Sequence, residues 1–140
     1  MKTTVVALAL VFVSLRSIAA DAPKHTDQES IQGIWLAQTE SQNGQKRNVD
    51  YEYVFRGDRV TFKDENGKET KYSFKLDTAG SLKVLIIQPE ETPTNSTPVS
   101  VAYELNGDSL KIVVAPPGSR PTEISDKNNQ ELIICKRKSR

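Results

Sequence analysis

The sequence predicts an all-β protein, an up-and-down antiparallel barrel of about eight strands preceded by a short helix. Apolar and polar side chains alternate with a period of two through most of the chain after residue 50. Glycine-containing turns separate the alternating runs, and no later segment is long and periodic enough to serve as a crossover helix between parallel strands. A Gly33-Ile34-Trp35 start and a Cys135-Lys136-Arg137 finish lie about a hundred residues apart and suit the first and last strands of a sheet that closes on itself.

The element order follows from the same signals. Thr26 or Asp27 can cap a one- to two-turn helix over 26–33 that carries acids in its first turn and ends at Gly33. Strands are expected near 34–39, 51–56, 59–63, 69–76, 82–88, 98–105, 109–115 and 131–137. Tyr51, Tyr53 and Phe55 alternate with Glu52, Val54 and Arg56, and Tyr72, Phe74 and Leu76 with Lys71, Ser73 and Lys75. Leu82–Ile87 and Leu132–Cys135 are apolar on both faces, which implies cover on each side. Gly57-Asp58, Asn66-Gly67 and Asn106-Gly107 are expected to form tight hairpin turns and so to make their flanking strands antiparallel neighbours. Residues 89–98 hold three prolines and form a surface excursion; 115–121 form a rigid corner.

The first twenty residues are expected to be a signal peptide. Lys2 precedes an apolar run from Val5 to Leu15, and small residues follow at 17–20, so cleavage falls near Ala19 or Ala20. Arg16 departs from the usual arrangement and leaves an uncleaved anchor as the alternative; the run is short of the about twenty residues that span a bilayer. The expected organisation is a signal peptide over 1–20, a flexible lead over 21–26, a barrel domain over 27–137 and a basic tail over 138–140, with a secreted or periplasmic location. Removing Lys2 and Arg16 leaves 17 basic against 18 acidic residues, so the mature chain calls for neither nucleic acid nor stable membrane insertion. Cys135 is the single cysteine, which rules out an internal disulfide and reads as a small core residue. Asn95-Ser96-Thr97 fits an N-glycosylation pattern or a plain polar loop.

A run of motifs covering about residues 27 to 137 resembles a family of small exported lipocalin-like domains abundant in planctomycete bacteria. The carriers are Asp27 leading to Ile31-Gln32-Gly33-Ile34-Trp35, then Phe55-Arg56-Gly57-Asp58, then Tyr103-Glu104-Leu105-Asn106-Gly107-Asp108-Ser109-Leu110-Lys111-Ile112. Pro117-Gly118-Ser119-Arg120-Pro121-Thr122 and Lys136-Arg137 complete the set. The family often has Thr where Ile34 stands and an aromatic where Ile124 stands. The resemblance implies a lipocalin-like barrel and export, and carries no defined biochemical activity.

Chemistry-bearing residues are sparse. His25 is the single histidine and lies in the lead, so neither a nucleophile–histidine pair nor a transition-metal site is expected, and no catalytic residue, metal ligand or cofactor is assigned. Asp64-Glu65-Asn66 at a hairpin tip reads as solvated charge. Tyr53, Phe55, Phe74 and Tyr103 are the expected inward residues, able to line a pocket for a small apolar or amphipathic molecule or simply to fill the interior. Arg120 can capture an anion at the barrel mouth or satisfy loop carbonyls. Gly33, Trp35 and Arg137 are assigned structural roles, with Trp35 as the plug of one barrel end beneath Arg137. The expected function is thus an exported, non-enzymatic binding module. The alternatives are an interaction module with a filled barrel and, last, a hydrolase with scattered carboxylates, which two facing carboxylates in a pocket would bring forward.

Overall fold

A computed structural model describes residues 25–90 and 97–139. The expected signal peptide over 1–20 and the sequon at Asn95 lie outside the described residues. A helix, α1 (Asp27–Ser30), precedes eight strands: β1 (Gly33–Gln42), β2 (Gln45–Arg56), β3 (Arg59–Lys63), β4 (Glu69–Asp77), β5 (Val84–Pro89), β6 (Val99–Asn106), β7 (Ser109–Val114) and β8 (Glu131–Arg137). Each strand pairs antiparallel with the next, and β8 pairs with β1 to close the barrel. Closure leaves no unpaired sheet edge, which is how a small all-β domain avoids edge-to-edge association.

Four local findings refine the expected elements. The first two strands are longer than the apolar alternation suggests, because they meet in a hairpin at Asn43-Gly44, both at positive φ (50° and 82°). The link between β3 and β4 is a five-residue loop rather than a two-residue Asn66-Gly67 turn. Its Asp64 carboxylate accepts the backbone N–H groups of Asn66 and Lys68, and only Gly67 takes positive φ. At the β6–β7 link Asn106 still belongs to its strand, and Gly107-Asp108 makes the turn. The segment around Thr122–Ile124 is irregular. There the buried Gln130 side chain accepts from the Thr122 N–H and donates to the Glu123 and Ser125 carbonyls, folding the β7–β8 connection on itself.

One end of the barrel is sealed. Thr26 and Glu29 form a capping box that fixes α1, and Ile31 just beyond it is wholly buried. The Trp35 indole, also wholly buried, donates its N–H to the Ile31 carbonyl at 2.8 Å. Arg137 lies over the indole face with its guanidinium carbon 4.2 Å from the ring centroid. The same guanidinium donates to the Ser30 carbonyl and the Gln32 carbonyl, each at 2.7 Å, and to Asp108 at 3.1 Å. Gly33 accommodates this contact: its φ is +119°, and a Cβ there would stand 3.1 Å from the guanidinium. A second tie comes from Asp27, whose carboxylate accepts from Lys83 and from the Tyr103 hydroxyl, both at 2.8 Å, and is held below its ordinary pKa chiefly by the Lys83 contact. The helix is therefore pinned to β1, β6 and β8 across the plugged end.

The buried core runs inward from this plug through Ala37, Phe55, Val60, Phe74, Leu85, Val101, Leu110, Ile112, Ile133 and Cys135. Phe74 packs edge-on against Phe55 with centroids 5.2 Å apart. Burial pushes the Cys135 thiol up to about 12, so the thiolate that reacts with electrophiles is scarce at neutral pH.

Two outcomes are expected. Trp35→Ala should lower the unfolding free energy in denaturant titration by about 3–5 kcal/mol, the cost of emptying a large core site. The Cys135 thiol should react with an aromatic disulfide reagent only as fast as the whole domain unfolds, so that denaturant accelerates labelling in parallel with loss of tertiary signal.

Candidate functional site

The end of the barrel away from Trp35 is hollow. A cavity of about 240 Å³ is lined by Tyr53, Phe55, Val60, Phe62, Tyr72, Leu85, Ile87, Val101, Ile112 and Val114. Its deeper walls, Phe55, Val60, Leu85, Val101 and Ile112, are buried, whereas Tyr53, Phe62, Tyr72, Ile87 and Val114 are half-buried, so the hollow opens to solvent opposite the plug. These positions share the inward parity of their strands: Tyr53 pairs with Phe62, Phe55 with Val60, Phe74 with Ile87, and Val101 with Val114. The wall is almost wholly hydrocarbon, with the tyrosine hydroxyls as its polar atoms. Burial, ahead of the neighbouring Tyr51, pushes the Tyr53 phenol well above its ordinary pKa and keeps it a neutral donor.

The residues expected at a pocket fall in different places. Tyr53 and Phe55 line the cavity. Phe74 is buried behind Phe55, and Tyr103 is turned toward the plugged end, where its hydroxyl is committed to Asp27; neither lines the cavity. Arg120 stands exposed in the β7–β8 connection, away from the cavity wall, because that corner folds around Gln130. Phe62, Tyr72 and the aliphatic wall complete the lining. They belong to the same alternating runs as Tyr53, but alternation alone does not separate the hollow end from the filled one.

A polar cluster stands above the cavity at the mouth. β1 carries an irregularity between Ala37 and Thr39, which inserts the exposed Gln38 and shifts the parity of the rest of the strand. Ala37 pairs with Cys135, but Glu40, three residues on, pairs with the buried Ile133 and so shares its inward face. Glu131 lies two residues from Ile133 on that face. From β2, Arg47 donates to one Glu40 oxygen at 2.6 and 3.1 Å, and the Tyr51 hydroxyl donates to the other at 3.0 Å. The Tyr51 ring rests on Phe62 and Tyr53 of the cavity wall, with centroids 5.1 and 5.8 Å apart, which joins the cluster to the hollow.

The rim is held in place from outside. Asn43 and Asn129 exchange hydrogen bonds, the Gln42 side chain donates to the Asn129 carbonyl, and the Gly44 N–H donates to Asp126. These contacts staple the β1–β2 hairpin tip to the β7–β8 connection and so fix the approach of Glu40 to Glu131. The two carboxylates stand diagonally on neighbouring strands, share the inward face and line one polar depression with Arg47, and Glu131 has no ion-pair partner among the described residues. Partial burial, then repulsion from Glu40, pushes the Glu131 carboxyl above its ordinary pKa, against an opposing pull from Arg47.

The fold is a closed antiparallel eight-strand barrel, plugged at one end and hollow at the other. The chain belongs to the lipocalin-like family: the family model for the lipocalin-like domain matches residues 31–134, from the base of the plug to the last strand. No curated protein and no solved structure matches the chain significantly.

Raising the pKa of Glu131 in the folded state means that ionising it opposes folding above the unfolded carboxylate value of about 4.3, and that this penalty vanishes below it. Glu131→Gln should therefore unfold at higher temperature than the natural chain at pH 7, with the gap narrowing as pH falls toward about 4. Paired thermal melts across that range check the sign.

Proposed function

We propose that this protein is an exported, non-enzymatic binding module that holds a small apolar or amphipathic molecule in the open end of its barrel. The observation that carries the reading is the 240 Å³ apolar cavity. An engineered cavity of about 150 Å³ with a similar hydrocarbon wall takes up benzene, so this hollow has room for one aromatic ring and a short extension. Membership of the lipocalin-like family agrees with a container role. The N-terminal apolar run supports delivery outside the cytoplasm.

The facing carboxylates at the mouth raise the hydrolase alternative, and their geometry argues against it. Glu40 and Glu131 stand diagonally on neighbouring strands, and both oxygens of Glu40 are already engaged by Arg47 and Tyr51. A carboxylate held on both oxygens is a fixed anionic wall rather than a mobile base. The arrangement serves recognition better than proton transfer.

Native mass spectrometry of the gently purified protein, followed by calorimetric titration with indole, tests the reading. Bound mass or saturable heat is expected. Val101→Phe, which projects a ring into the cavity, should weaken indole binding at least about tenfold, since losing even one well-packed apolar contact costs about 1–3 kcal/mol. A chain that never takes up an apolar probe, or a Val101→Phe variant that binds indole unchanged, would overturn it.

A further inference from the structure

The container reading leaves open what kind of head group the occupant carries, and the mouth constrains it. The inner face there holds two carboxylates and one guanidinium: Glu40, Glu131 and Arg47. Arg47 is spent on Glu40 at 2.6 Å, and Tyr51 supplies the only other donor to that carboxylate among the described residues. Lys46 borders the same depression, but it pairs with Ser41 on the outer parity and has no ion-pair partner among the described residues. The inner face is thus left with one uncompensated negative charge, on a half-buried Glu131 that shares its depression with a second carboxylate.

The position of that charge relative to the cavity matters as much as its sign. Glu131 pairs across β7–β8 with Val114, a residue of the cavity wall, and lies two residues from Ile133. Tyr51 spans from Glu40 to the ring faces of Tyr53 and Phe62. The charge therefore sits beside the rim of an apolar hollow, as a head-group contact next to a tail pocket would. Two carboxylates lining one small depression repel each other until a proton or a cation comes between them. A ligand cation would relieve that repulsion, whereas a ligand carboxylate would add a third negative group to it.

We propose that the barrel selects small amphiphiles bearing a protonated amine, with the ammonium seated between Glu131 and Glu40 and an aromatic or short alkyl body filling the apolar cavity beneath. This rests on the container reading. Glu131 is the specificity-determining residue; Glu40, held by Arg47 and Tyr51, is the fixed wall against which the ammonium sits. Arg47 keeps the site from carrying two bare charges, which would bind any cation without regard to its tail.

Calorimetric titration of the full chain with 2-phenylethylamine, 2-phenylethanol and 3-phenylpropionate tests this, because the three share a body and differ in the head. The amine is expected to bind at least about tenfold tighter than the carboxylate, with the alcohol between, since like charges brought together cost several kcal/mol. In Glu131→Gln the amine should fall to within about twofold of the alcohol while the alcohol is unchanged, which shows that the variant retains its cavity. Equal or tighter binding of the carboxylate, or an amine-to-alcohol ratio untouched by Glu131→Gln, overturns the head-group assignment and leaves the container reading standing. Failure of all three to bind, together with failure of indole, overturns both.

Discussion

The structure depends on the contact of Arg137 with Trp35. One guanidinium covers the indole face and donates to the carbonyls of Ser30 at the end of α1 and Gln32 just before β1, while its Nε–H reaches Asp108 in the β6–β7 turn. Residues more than a hundred positions apart are joined at a single point, and the fork geometry of arginine is what lets one side chain serve all of them. Lysine would supply one point charge there and could not both stack and bridge. Because α1 is only four residues long and has no intrinsic stability, its position comes from this contact and from Asp27 on Lys83 and Tyr103.

A sealed end makes a hollow end possible. Trp35, Phe74 and Tyr103 are buried toward the plugged end, whereas the inward aromatics farther along, Tyr53, Phe62 and Tyr72, are half-buried and stand around the cavity instead of filling it. The domain thus divides its labour along one axis: core energy at the plugged end and space at the other. Rigidity at the hollow end comes from polar links between the Asn43-Gly44 tip and the β7–β8 connection, and these leave the interior free of filling side chains.

The plugged end was legible in the sequence because its rules are short-range. Gly33 before Trp35, the period-two runs from Tyr51 onward and the glycine turns all declare themselves within a few residues. The mouth was not legible, for a definite physical reason. Apolar alternation marks a strand only where its inward side chains are apolar, and between Gln38 and Asp50 the inward ones include Glu40 and Arg47. Polar inward residues hide the strand, and the irregularity at Gln38 shifts the parity that would otherwise put Glu40 outside. Asn43-Gly44 was the one signal that could have recovered this hairpin, and with it the approach of Glu40 to Arg47. Glu131 needed more, since only closure of β8 onto β1 brings it to the same face. Tyr103 shows the converse: its inward parity was clear, but the partner that turns its hydroxyl to the plugged end, Asp27, lies 76 residues away.

Closure of β8 onto β1 also governs how the molecule can come to exist. Seven of the eight ladders join consecutive strands and can form as soon as each hairpin is complete, but the eighth ties Trp35 to Arg137 and must wait for nearly the whole domain. In a chain without structure, drawing together ends about a hundred residues apart costs on the order of 4 kcal/mol of chain entropy, a cost that hairpins formed earlier reduce. Until that step, β1 and β8 are both open edges, and the indole has no guanidinium above it. Assembly is therefore all-or-none at its last seam, and the same long-range pairing that removes every edge from the finished barrel makes the unfinished one the species most exposed to association with its own kind.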